Sequence, residues 1–228
     1  KEAVDFGTRL GHNQRWGVRV MADNIQGETA IDGDKLTQRD FFVNIDQKTK
    51  KSKTNLLVGY NYADQKGAQF TWNFNEYNQP KGSRLPKAPD NGRSYLPEWT
   101  NNEYDNWIAT LNHEQILSDH TTAFFNAGYH REDWYGYQYG TPRLQNANGD
   151  YTVHPENYPL AVTTKYFGGG IKGKFNLGLT KHNYVLSADR MMYDNYGGTN
   201  KKWGNNGEIL LRGNMYTGYM DDSQYYMY

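Results

Sequence analysis

The sequence predicts an all-β fold, an antiparallel β-barrel that crosses a membrane, on three observations. Side chains alternate with a period of two, the alternating runs outlast ordinary soluble strands, and short turns alternate with long loops. The pattern is clearest from Asn102 to Thr141. Trp107, Ala109 and Leu111 share one face of a first run, opposite Ile108, Thr110, Asn112 and Glu114. In the second run Ala123, Phe125, Ala127 and Tyr129 oppose Asn126, Gly128, His130 and Glu132, and "LSDH" joins the two. Soluble strands usually end after about five or six residues. A strand that crosses a bilayer needs about 9–11 tilted residues and then continues into its loop, which suits the second run.

Composition agrees with a wall that is wet on one side. Only 36% of the 228 residues are hydrophobic, yet aromatics reach 15%, with 20 Tyr and 6 Trp beside 24 Gly. Mean hydropathy is −0.97. A barrel with a polar interior needs an apolar side chain only at every second position, with aromatic girdles at its two rims. The 25 basic and 25 acidic residues cancel, which argues against a nucleic-acid partner. Cysteine is absent, and with it disulfides, thiolate metal sites and cysteine nucleophiles. No run approaches the roughly 18 apolar residues of a membrane helix. The chain opens on Lys1 with no signal peptide, so its natural start is expected to lie upstream.

The remaining elements follow in order. A short strand from Ala3 to Leu10 turns at "GHNQ" into "RWGVRVMADNIQ", where Trp16, Val18, Val20 and Ala22 oppose Gly17, Arg19, Met21 and Asp23. After a polar loop, Phe41, Val43 and Ile45 oppose Asp40, Phe42, Asn44 and Asp46. "KKSK" leads to a run from Thr54 to Phe74 with Leu56, Val58, Tyr60 and Tyr62 on its apolar face. Residues 75–101 carry four prolines without periodicity, and a loop of this length usually serves a function or lacks order. Beyond a second long loop, a run from Pro159 to Leu177 places Phe167, Gly169, Ile171, Gly173 and Phe175 on one face. It turns at "GLTK" into "HNYVLSADRMMYDNYG", and a last strand is expected around Gly207 to Thr217. The count is about nine strands. Connections at 11–14, 50–53, 117–120 and 178–181 are short; those at 27–36, 75–101, 142–158 and 198–206 are long. Short periplasmic turns and long outer loops are the asymmetry of outer-membrane barrels.

Several segments also resemble a known family. "RLGHNQRWGVRVMADNIQGETAIDG", "NIDQKTKKSKTNLLVGYNYADQKGAQ", "LPKAPDNGRSYLPEW" and "GGGIKGKFNLGLTKHNYVLSADRM" resemble, in this order and spacing, the barrel of TonB-dependent siderophore receptors, especially the ferrichrome-receptor-like branch. The similarity runs from about Phe6 to Tyr216. It implies a 22-stranded barrel with an N-terminal plug, in the outer membrane of a Gram-negative bacterium, that takes up a ferric siderophore with energy passed from TonB. The implied partners are the ferric siderophore, the TonB complex and the lipid bilayer with its lipopolysaccharide. No protein cofactor is implied, because the siderophore itself holds the iron. The chain shows neither plug nor TonB box, so residues 1–228 are expected to form one partial barrel domain of a longer chain. An isolated sheet would leave unpaired edges in lipid at great cost.

Such receptors hold their ligand with aromatic side chains at the outer mouth and on the plug. By resemblance, two clusters match: Phe70 and Trp72 in "FTWNF", and Trp134, Tyr135, Tyr137 and Tyr139 in "DWYGYQYG". Girdle aromatics, which every such barrel needs, explain them equally. Parity puts Phe70, Trp72, Tyr135, Tyr137 and Tyr139 on the lipid face, unless a bulge at Gly67 or between Gly128 and Gly136 reverses it. Arg93, Tyr95 and Trp99 in the long loop read as loop decoration, with ligand contact as the alternative. His113, His120, His130, His154 and His182 lack close metal-ligand spacing. His130 and Asp133 form a single acid/His pair, too little for a hydrolytic site, so no enzyme is expected. "GGG" at 168–170 opens no helix and reads as close strand packing or a kink. A passive porin or a small self-contained structural barrel is the alternative from another class.

Overall fold

A computed structural model describes residues 1–67, 87–93, 95, 100–139, 142–157, 159–197, 201–202 and 210–221, with the backbone alone at 137–139, 155–157 and 201–202. Eight long strands form one sheet: β1 (Glu2–Leu10), β2 (Trp16–Glu28), β3 (Lys35–Lys48), β4 (Ser52–Lys66), β5 (Asn101–Ser118), β6 (Thr121–Tyr135), β11 (Leu160–Leu177) and β12 (Thr180–Gly197). They lie in sequence order and pair antiparallel throughout. The connections β1–β2, β3–β4, β5–β6 and β11–β12 are short and fall at one end. Gly178 reverses the last of them in the left-handed region, at φ 57°, which a residue with a Cβ adopts only with strain.

The strands cut between β6 and β11 in sequence, and after β12, belong elsewhere. At the opposite end of the sheet stand two small sheets. One joins β7 (Tyr137–Tyr139), β10 (Pro155–Asn157) and β13 (Lys201–Lys202). The other joins β8 (Arg143–Leu144), β9 (Asp150–Val153), β14 (Leu211–Asn214) and β15 (Met220–Asp221). The expected ninth wall strand is therefore corrected: its described part is β14, paired with β9 in a loop sheet. Leu211, Gly213 and Met215 alternate as a wall strand would, and they are buried on protein instead of on lipid. The loop expected at 142–158 likewise contains β8, β9 and β10.

Register brings the apolar faces of all eight strands to one side. Phe6 opposes Val20, Val20 opposes Val43, Val43 opposes Val58, Val58 opposes Ala109 and Ala109 opposes Tyr129. Trp16, Val58 and Phe125 keep 47%, 40% and 43% of their surface exposed. A water-soluble sheet would have to cover such a contiguous apolar face. The tightly buried apolar cluster among the described residues is instead in the loop sheet, formed by Leu144, Tyr151, Val153, Leu211 and Met215. The apolar face of the wall is left uncovered among the described residues.

The other face is polar and carries its own ladder. Asn61 donates to Asp40, Gln38 Nε2 donates to Asp40 Oδ2 at 2.7 Å, and Asn106 Nδ2 donates to Asn61 Oδ1 at 3.3 Å, which ties β3, β4 and β5 together. Arg19 pairs with Asp5 between β2 and β1. Glycines on this face make room for neighbours: a Cβ at Gly59 would overlap the Phe42 ring, and one at Gly168 would meet the Tyr166 hydroxyl. The glycine run 168–170 is thus close packing, since a Cβ at Gly170 would strike the carbonyl of Leu186 on β12.

Candidate ligand-binding rim

At the loop end of the polar face, Tyr104 of β5 and Trp134 of β6 are register partners. Their rings stack with centroids 5.2 Å apart and planes inclined by 26°. Trp134 Nε1 donates to Asn102 Oδ1 at 3.0 Å, which fixes the indole against the inner wall. The pair presents aromatic surface to the interior beside the polar side chains of Asn102, Asn106 and Glu132. That combination suits a ligand with both apolar and oxygen-rich parts.

The six aromatic residues singled out by the sequence part company here. Trp134 faces the polar interior, while Tyr135 shares the outer face with Phe125 and Tyr129 and is 46% exposed. No register shift occurs at Gly128, where β6 stays paired with both neighbours. The break comes at Gly136, whose φ of 133° ends β6, and Tyr137–Tyr139 then pair with β10 in the three-stranded loop sheet. The side chains of Tyr137 and Tyr139 lie outside the described residues, as do Phe70 and Trp72 altogether. So does Trp99. His130 and Asp133 are placed on opposite faces by the pairing, and Asp133 accepts from Arg131 Nε at 2.6 Å.

Tyr104 was not singled out by the sequence. Its signal was available in hindsight of pairing alone: it shares parity with Asn106 and Ile108, and the hairpin count sets it opposite Trp134.

Above this rim the loop sheet is held to residues 87–95 of the proline-bearing loop by a set of side-chain bonds. Arg93 Nη1 donates to the Tyr216 carbonyl at 3.2 Å, Tyr216 Oη donates to the Lys87 carbonyl at 3.1 Å, and Tyr151 Oη donates to the Tyr95 carbonyl at 3.4 Å. Asp32 N donates to the Gly92 carbonyl at 2.8 Å, which draws in the first loop as well. Burial pushes the Tyr151 phenol well above its ordinary pKa, and the Tyr95 phenol upward too. Both therefore stay neutral hydroxyls near pH 7. Asp150 is held below the usual carboxylate range by hydrogen bonds from Asn146 and Asn214. A cleft of about 640 Å³ opens on this sheet between Arg143, Asp150, Thr152, His154, Arg212 and Tyr219.

No protein-family model matches the chain. It is 27% identical over 208 residues to the ferrichrome receptor FcuA of Yersinia enterocolitica, a match over 90% of this chain and 26% of that protein. Among solved structures, the ferric preacinetobactin receptor BauA from Acinetobacter baumannii superposes with a TM-score of 0.84 at 20% identity, over 96% of this chain and 32% of the receptor. The fold is that of a siderophore-receptor barrel wall. The ferripyoverdine receptor of the outer membrane of Pseudomonas aeruginosa superposes with a TM-score of 0.69 at 11% identity, over 92% of this chain and 31% of that one. The resemblance read from the sequence thus holds for the fold. The chain spans about a quarter to a third of the length of the receptors it matches.

Proposed function

We propose that this barrel wall belongs to an outer-membrane receptor that binds a ferric siderophore and passes it to the periplasm with energy delivered by TonB. The observation that carries the reading is the coincidence of two independent matches. The chain aligns in sequence with a ferrichrome receptor and superposes over nearly all its length on a ferric preacinetobactin receptor. In this reading the four short turns are periplasmic, the loop sheets are extracellular, and the apolar face sits in a bilayer whose outer leaflet is lipopolysaccharide. The polar face surrounds a plug supplied by the same receptor.

The stacked Tyr104 and Trp134 form the wall's contribution to the ligand site, with Phe70, Trp72, Tyr137 and Tyr139 as further aromatic candidates. Iron stays inside its chelator, so no protein ligand to the metal is required. Growth of iron-starved cells that express the intact receptor, fed a panel of ferric siderophores with and without a functional TonB, tests this directly. Growth on one or more chelators that disappears without TonB is the expected result. Equal growth in both strains would replace a driven receptor by a passive pore.

A further inference from the structure

The loop end of the wall is short of positive charge on its polar face. Asp23, Asp40, Asn61, Asn106 and Glu132 oppose one another in turn across β2, β3, β4, β5 and β6. From that row to the loops, the described polar-face residues of these five strands include no Lys or Arg. A negatively charged ligand finds no counter-charge there. The four-stranded loop sheet supplies one.

In that sheet Arg143, Thr152, Arg212 and Asp221 form one row across β8, β9, β14 and β15. Their neighbours along the chain, Leu144, Tyr151, Val153 and Leu211, turn the other way into the core and are at most 1% exposed. A sheet with one face packed this tightly has a fixed register, so what its opposite face displays is fixed as well. At about 4.8 Å per strand, Arg143 and Arg212 start roughly 10 Å apart with Thr152 between them. Arg212 is exposed and makes no hydrogen bond or ion pair among the described residues. Asp150 lies one row away, opposite Asn214, and its two oxygens are met by Asn214 Nδ2 at 2.7 Å and Asn146 Nδ2 at 2.8 Å instead of by Arg212. Tyr219, whose backbone carbonyl accepts from Asn214 N at 2.8 Å, is 63% exposed. The cleft of about 640 Å³ that these side chains line is of a size that holds a small molecule.

We infer that this cleft binds a ferric chelate of negative charge, with Arg212 and Arg143 on its carboxylate or catecholate oxygens and the Tyr219 ring against its flat part. A guanidinium fork matches paired oxygens of this kind, and the bond gains strength from the opposite charges. The Thr152 hydroxyl accepts from Gln145 Nε2 at 3.1 Å, which leaves its own proton to donate to the ligand. The inference rests on the receptor reading given above and narrows its ligand to anionic chelates. A cationic platform on the loops also steers such a ligand toward the protein, an effect that salt screens.

The test titrates the intact receptor in detergent, at low and high salt, with three ferric complexes: a tris-catecholate, a citrate and a neutral tris-hydroxamate. The parent should bind the catecholate or the citrate complex, with an affinity that falls as salt rises. Arg212→Gln should weaken that binding about tenfold while keeping the assembled, heat-modifiable form of the parent. Arg212→Lys, which restores the charge without the fork, should recover part of the loss. Binding of the tris-hydroxamate alone, binding of none of the three, or equal affinity of the parent and Arg212→Gln for the anionic complexes would each overturn the inference. Failure of the receptor reading looks different: an anionic complex that binds through Arg212 but supports no TonB-dependent growth would keep the cleft and remove the transport.

Discussion

The guanidinium of Arg9 reaches the carboxylate of Asp46 by passing over Gly17. Nη2 lies 3.0 Å from Oδ1 and Nη1 3.2 Å from Oδ2, so a bidentate pair joins β1 to β3 across the strand between them. A Cβ at position 17 would collide with Asp46 and crowd the guanidinium. The side chains are 42% and 32% exposed, so the pair by itself stabilises by no more than about 1 kcal/mol. Gly17→Val both breaks the pair and overpacks the face, at a cost of about 1–3 kcal/mol. It should therefore lower the unfolding temperature of the intact receptor more than Arg9→Gln does. Equal shifts from the two variants would show that Gly17 accommodates a side chain freely.

Val58 and Leu57 are adjacent and face opposite media. Lys at position 58, six residues from the end of β4 at Ser52, would stand in the apolar band, where a cation costs about 2–4 kcal/mol. Lys at position 57 would join Asn55 and Asn61 on the polar face. Val58→Lys should reduce the heat-modifiable, assembled form of the receptor in outer membranes, and Leu57→Lys should leave it near the parental level. The reverse order would exchange the two faces.

If the Tyr104–Trp134 stack touches ligand, Trp134→Ala removes an aromatic surface worth about 0.5–1.5 kcal/mol beyond its buried area, and affinity for the ferric siderophore should fall roughly tenfold. Tyr135→Ala, on the outer face, should leave affinity unchanged. Titration of the intact receptor by intrinsic fluorescence or calorimetry measures both. A loss confined to Tyr135→Ala would move the site to the other side of the wall.

Asp150 links pH to the loop sheet. Asn146 Nδ2 donates to it at 2.8 Å and Asn214 Nδ2 at 2.7 Å, so its folded carboxyl titrates below its unfolded one. The stabilisation is present above the ordinary carboxylate range and is lost as pH falls through the lowered folded value. Amide exchange in β9 and β14, corrected for its intrinsic pH dependence, should accelerate below about pH 4. In Asp150→Asn that added acid sensitivity should vanish, and its persistence would assign the acid effect to another group.

The strands were legible in sequence because one face is apolar and the other polar, and this writes a period of two into "RWGVRVMAD" and "KTNLLVGYNYAD" with no help from distant residues. The polarity of the two ends was legible for a similar local reason, since turn length shows directly in the residue count. The same rule misplaced residues 211–217: alternation says that Leu211 and Met215 need an apolar partner, but not whether that partner is a lipid chain or Tyr151 and Leu144.

Local pattern thus determined the wall, its two faces and its up-and-down order. Pairing between distant strands alone decided that Trp134 meets Tyr104, that Arg9 reaches Asp46 across Gly17, and that Arg131, Lys165 and Arg190 line up on one diagonal. Those relationships depend on register and on strand tilt, and a slip of one residue would turn every side chain to the other face while leaving the alternation itself unchanged.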